Sequence, residues 1–162
     1  MRKSNTCNVM HLKGGGFNFE RFVPKPKSEV RKELNLSPDL KYILWVGRFN
    51  EQHAPETLIA VYKELKKIPN VRLICIGGKE DQPQYNEVVN SGIEVMGHIP
   101  RDKLIKYMNA TDINLFPTAN DWPAFGDVPT VILESLSMNQ PVICPGLINF
   151  LGPKSEIEKL CE

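Results

Sequence analysis

No run of apolar residues in this chain approaches the roughly 18 that a membrane span needs, so membrane contact is expected only through a partner. A surplus of charge is missing as well: 20 Lys and Arg stand against 19 Asp and Glu, a net charge of +1. Nucleic-acid and anionic-membrane surfaces depend on clustered Lys and Arg, and without such a block both classes are excluded. The four cysteines show no CxxC spacing, which removes the usual zinc and dithiol patterns. Cys75 and Cys144 fall within apolar, strand-like runs, where buried, reduced thiols are expected. Met1-Arg2-Lys3 leads into polar SNTCN rather than an apolar stretch. No secretory signal is therefore expected, and the chain reads as cytoplasmic.

What is present is an ordinary globular composition. Apolar residues make up 41% and charged residues 24% of 162 positions, enough for one real core. Strands and helices alternate along it. Ser28–Asn35 reads as a short helix opened by a Ser cap. Tyr42–Val46 is an apolar strand, and Pro55–Lys67 is helical with Leu58, Val61, Tyr62 and Leu65 on one stripe. Val71–Ile76 is a second strand, Pro83–Ser91 a helix, and Ile93–Met96 a short strand. Arg101–Ala110 is a helix with Leu104, Ile105 and Met108 inward. Ile113–Phe116 is a strand, a short helix begins near Thr130, and Pro141–Cys144 is a last strand. Apolar strands without in/out alternation, each followed by a helix, predict a parallel sheet covered on both faces. The expected fold is α/β: a single Rossmann-like, doubly wound domain over residues 27–150, with a leading segment 1–26 and a tail 151–162.

Such sheets bind ligands beyond the carboxyl ends of their strands. Those ends are Gly47-Arg48, Gly77-Gly78, Gly97-His98 and Pro117-Thr118. Glycine there permits close backbone approach, and the guanidinium of Arg48 suits phosphate oxygens. The densest signal lies in residues 112–144, where a strand runs into a Pro/Gly/Asp-rich loop and then a helix carrying Glu134. First-turn N–H groups lack intrahelical partners, and the helix dipole adds partial positive charge, so this arrangement binds phosphate. Glu134, one turn in, is placed for the hydroxyls of a sugar beside the phosphates. Taken singly, each feature has a plainer reading: a turn glycine, a surface arginine, an exposed helix glutamate. Their shared edge of one sheet is what favours a site.

These segments resemble the donor-binding, C-terminal half of retaining GT-B glycosyltransferases, specifically glycosyltransferase family 4. GGFNFERFVP (Gly15–Pro24) is similar to the family's NGVDxxxFxP, and ILWVGRFNEQHA (Ile43–Ala54) to its fVGRLxxxKG. VRLICIGG (Val71–Gly78) and IEVMGHIPRDKLIKYMNATDINLFPT (Ile93–Thr118) follow in the family's order. GDVPTVILESLSMNQPVI (Gly126–Ile143) is similar to EGxPxvllEAmAxGxPVv. The resemblance implies one half of a GT-B fold that binds a nucleotide diphosphate sugar as donor substrate, with no cofactor and no divalent metal. It implies that Gly47, Arg48 and Gly77 belong to the donor-binding site, with Arg48 binding the diphosphate. Gly97, His98 and Ile99 would lie against the nucleobase. Pro129, Thr130 and Val131 would offer backbone N–H groups to the diphosphate, and Glu134 would hold the ribose hydroxyls. The acceptor side would come from an N-terminal domain or a separate subunit. Polysaccharide or lipid-linked glycan assembly is the implied setting.

The chain departs from the family pattern at several site positions. His53 replaces the family's Lys and Ala54 its Gly. A partly charged imidazole near neutral pH is then expected beside the phosphates. The family's first acid falls on Gly126, with Asp127 beside it as a candidate replacement and Asp121 further up the lengthened loop. Gly15 and Asn18 replace the Asn and Asp of the first motif. These changes leave open a nucleotide-sugar-binding module without turnover, acting in regulation or assembly. An unrelated flavodoxin-like or receiver-like module fits less well, since a receiver's paired acids and terminal lysine are missing.

Overall fold

A computed structural model describes residues 18–117 and 129–144. Helices α1 (Lys27–Glu33), α2 (Pro55–Leu65), α3 (Tyr85–Asn90), α4 (Arg101–Ala110) and α5 (Thr130–Ser137) alternate with four strands. The strands are β1 (Lys41–Gly47), β2 (Val71–Gly77), β3 (Ile113–Leu115) and β4 (Val142–Ile143). All pairings are parallel and the spatial order is β2-β1-β3-β4. The α/β, doubly wound, Rossmann-like reading is the one observed.

The expected strand over Ile93–Met96 is reduced to two isolated bridges, Cys75 with Val95 and Gly77 with Gly97. Gly92 and Gly97, both at positive φ, bend the chain at either end and leave too few extended residues for a ladder. Counting this segment as a rudimentary strand, the order along the sheet is third, second, first, fourth, fifth. The winding reverses between β1 and β3, which is the switch point where such sheets open a ligand crevice.

Helices cover both faces because the strand residues are apolar on both. On one face Tyr42, Leu44, Ile74 and Ile76 pack with Ile105, Tyr107 and Met108 of α4 and with Phe22. On the other, Trp45 and Cys75 pack with Leu58 and Ile59 of α2 and Val88 of α3. Helix α1 begins after Pro26, and Ser28 makes no capping bond. The helix starts instead on the Pro26 carbonyl, which accepts from the Glu29 amide at 3.1 Å and the Val30 amide at 3.2 Å. Cys75 is buried as expected, whereas Cys144 is only half-buried, because β4 is two residues long and ends before it.

A polar cluster fixes the edge of the sheet away from the strand ends. Arg31 of α1, 6% exposed, donates to Asp112 Oδ2 at 2.6 Å and to the carbonyl of Ala110 at 2.8 Å. Asp112 also accepts from Lys27 Nζ at 2.9 Å and from the Tyr42 amide at 2.8 Å. Burial alone would raise the Asp112 carboxyl, but the Tyr42 amide, Lys27 and Arg31 outweigh it and hold the group below the ordinary carboxylate range. This cluster ties α1 to the starts of β1 and β3, at the edge opposite the glycine-rich strand ends.

Candidate functional site

The carboxyl edge is knitted together by glycine. Gly77 N–H donates to the Gly97 carbonyl at 2.8 Å, and Gly78 N–H to the Gly47 carbonyl at 3.0 Å. Three strand ends anticipated from sequence thus meet directly. Gly77 has φ +102, and a Cβ on it would sit 2.1 Å from the Gly47 carbonyl oxygen, so only glycine fits. At Gly47 a Cβ would lie 2.9 Å from His53 Cδ2 and 3.0 Å from the Trp45 ring. The missing side chain there is what lets the imidazole fold back over the end of β1.

Arg48 follows directly and is exposed. The turn Glu51–His53 brings His53 behind it. Asn50 caps this turn, its Oδ1 accepting from the His53 amide at 3.3 Å and lying 2.6 Å from His53 Nδ1. An amide oxygen only accepts, so Nδ1 carries the proton and the acceptor of the neutral ring is Nε2. Burial, and then the neighbouring Arg48 guanidinium, lower the His53 pKa to about 4. The partly charged imidazole expected at neutral pH is therefore corrected: the ring in this domain is neutral there.

Helix α5 starts at the same edge, since the parallel strand β4 follows it. Pro129 precedes its first turn as the cap residue, and Ile132 N–H closes that turn on the Pro129 carbonyl at 2.9 Å. Pro129 has no N–H, so of the anticipated stretch only Thr130 and Val131 can donate from the backbone. Thr130 is exposed and Val131 half-buried. His98 is exposed, and Ile99 packs partly against the core. Beside Gly97 a cleft of about 510 Å³ opens, lined by Gly78, Lys79, Tyr85 and Val95 among others. Asp127 and Gly126 lie outside the described residues.

Glu134 is not the solvent-facing helix glutamate of the plainer reading. It is 3% exposed, and its Oε1 accepts from Arg101 Nη2. Sequence reasoning missed Arg101, which is 33 positions away in the chain. A signal was available: a basic residue in the first turn of a helix opposes the dipole, so an acidic partner elsewhere is to be sought. It also missed Gln82, whose Oε1 accepts from Phe49 N–H at 2.8 Å and Lys79 N–H at 3.1 Å. That bond links the loops after β1 and β2. Among the described residues no group of three or more His, Cys, Asp or Glu is placed to share a metal ion, and no helix is long and apolar enough to cross a membrane.

Residues 40–149 match the family described as Glycosyl transferases group 1. The chain belongs to this glycosyl transferase family. Among curated relatives, the D-inositol 3-phosphate glycosyltransferase of Streptosporangium roseum is 28% identical over 142 residues, covering 78% of this chain and 32% of that protein. Among solved glycosyl transferase structures with this fold, sucrose-phosphate synthase from Thermosynechococcus elongatus aligns with TM-score 0.63 and 25% identity, covering 80% of this chain and 33% of that one. HepE of Anabaena in complex with UDP-glucose aligns with TM-score 0.63 and 19% identity, covering 82% of this chain and 37% of that one. The chain spans about a third of the length of the curated glycosyl transferases it matches.

Proposed function

We propose that this chain is the donor-binding domain of a retaining glycosyltransferase that moves a hexose from a nucleotide diphosphate sugar to a glycan or lipid-linked acceptor. An N-terminal domain or a separate subunit supplies the acceptor side. The observation that carries the reading is Glu134: a buried carboxylate one turn inside α5, at the strand edge that also presents exposed Arg48.

In this reading the diphosphate lies between Arg48 and the first-turn amides of Thr130 and Val131. Guanidinium and amide donors, with the α5 dipole, stabilise the charge that builds on the leaving diphosphate, the work done elsewhere by a divalent ion. The ribose hydroxyls donate to Glu134, and the base rests against Gly97–Ile99, next to the cleft. The UDP-glucose bound by HepE, of the same fold, supports a nucleotide sugar as the ligand class. Burial raises the Cys75 thiol to about 12, which leaves it unreactive. The neutral His53 in place of the family's lysine favours one second reading, a nucleotide-sugar-binding module without turnover; transfer of sugar once the acceptor half is supplied separates the two.

Glu134→Gln tests the ribose assignment. It should weaken nucleoside diphosphate binding by roughly 1–3 kcal/mol and leave inorganic pyrophosphate almost unaffected. Equal weakening of both ligands would make Glu134 a support of the helix rather than a ribose ligand.

A further inference from the structure

We propose that Arg101 is a positioning residue for ribose recognition, its guanidinium holding the Glu134 carboxylate charged and aimed in the orientation from which it accepts the ribose hydroxyls. The proposal rests on reading Glu134 as the ribose acid and adds a residue to that site.

A carboxylate with 3% exposure stays ionised inside a protein only when a partner compensates its lost hydration. Arg101 is that partner, donating from Nη2 to Oε1. The guanidinium is itself fixed from a second side: it lies over the Phe22 ring, 5.1 Å from the centroid, and that ring is 3% exposed. Stacking and pairing together leave the planar fork little freedom to turn. The Arg101 side chain remains 48% exposed, so the pair borders solvent on the Arg101 side instead of being sealed in the core.

The stoichiometry of acceptors permits both partners at once. An ionised carboxylate offers about four lone-pair sites; Arg101 uses one on Oε1, and a pair of vicinal hydroxyls needs two more. Nor does α4 explain the residue, because a cation at a helix start is unfavourable to that helix. The placement is useful through Glu134. Arg101 also lies two residues beyond Gly97–Ile99, the loop read as lying against the base, so one short segment serves base and ribose together.

The test uses the full chain and its Arg101→Gln and Arg101→Lys variants. Each is titrated calorimetrically with UDP, GDP and ADP, with the 2′-deoxy counterpart of the tightest binder, and with inorganic pyrophosphate. The parent should prefer the ribonucleotide by about tenfold, the loss of one hydrogen bond to a charged group. Arg101→Gln should reduce that preference to about threefold or less without changing pyrophosphate affinity. Arg101→Lys keeps the charge but not the fork, and should fall between them; it decides the matter if melting curves show the Gln variant unfolded. A purely structural role would weaken all ligands alike and leave the ribo-to-deoxy ratio untouched. A parent-like ratio in the folded variants overturns the proposal alone. A parent that binds no nucleotide overturns the donor reading and this proposal together.

Discussion

At His53 the ring is half-buried and lies beside the Arg48 guanidinium, and the two together bring its pKa down to about 4. The unfolded chain takes up this proton near pH 6.5, whereas the folded protein refuses it until about pH 4. Protons therefore favour the unfolded state across that interval, and stability falls as the pH drops from about 6.5 to about 4. Urea unfolding of the parent and of His53→Gln at pH 7.5, 5.5 and 4.5 should show the parent losing ground to the variant as pH falls. A constant difference between them would place the imidazole in solvent. The identity of residue 53 was legible in sequence but its protonation was not. That depends on the absent Gly47 side chain, the Asn50 carbonyl and Arg48, three groups whose convergence is a property of the turn. Glu134 divides in the same way: its position one turn into α5 could be read from spacing, while its burial needed Arg101 from another helix.

The start of α2 carries a strain that belongs to the element rather than to one side chain. Ala54, its cap, has φ +43 and ψ +60, a left-handed conformation that costs an L-residue about 1–2 kcal/mol. It is where the related family pattern has glycine. Ala54→Gly should relieve the strain, partly offset by the greater flexibility of glycine in the unfolded chain. The expected net gain is up to about 1 kcal/mol, read as a higher urea midpoint with an unchanged slope. A lower midpoint would mean that the packing of the 4%-exposed methyl outweighs the backbone term. Long elements were readable: α4 runs over Arg101–Ala110 as its apolar stripe requires. Shorter ones were readable in position but not in extent, because two or three ladder bonds form only when neighbours hold them. Val142–Ile143 pairs with β3 for two residues, and the segment around Val95 makes bridges without a ladder.

Across the whole molecule the two edges of the sheet have different jobs. The Arg31–Asp112 cluster fastens the starts of the strands, and the glycine-bonded ends of β1, β2 and the 95–97 segment leave the other edge open to a ligand. The doubly wound order was expected from alternation of apolar strands and helices, and the reversal between β1 and β3 puts Arg48 beside the switch point of the sheet. Pairing order itself is not written in local sequence, since it follows from which helices cover which face. Calorimetric titration of the 162-residue chain with UDP, GDP and ADP asks whether this edge holds a donor nucleotide. One of the three should bind at a single site with a clear preference over the others. A folded chain that binds none of them would contradict the assignment.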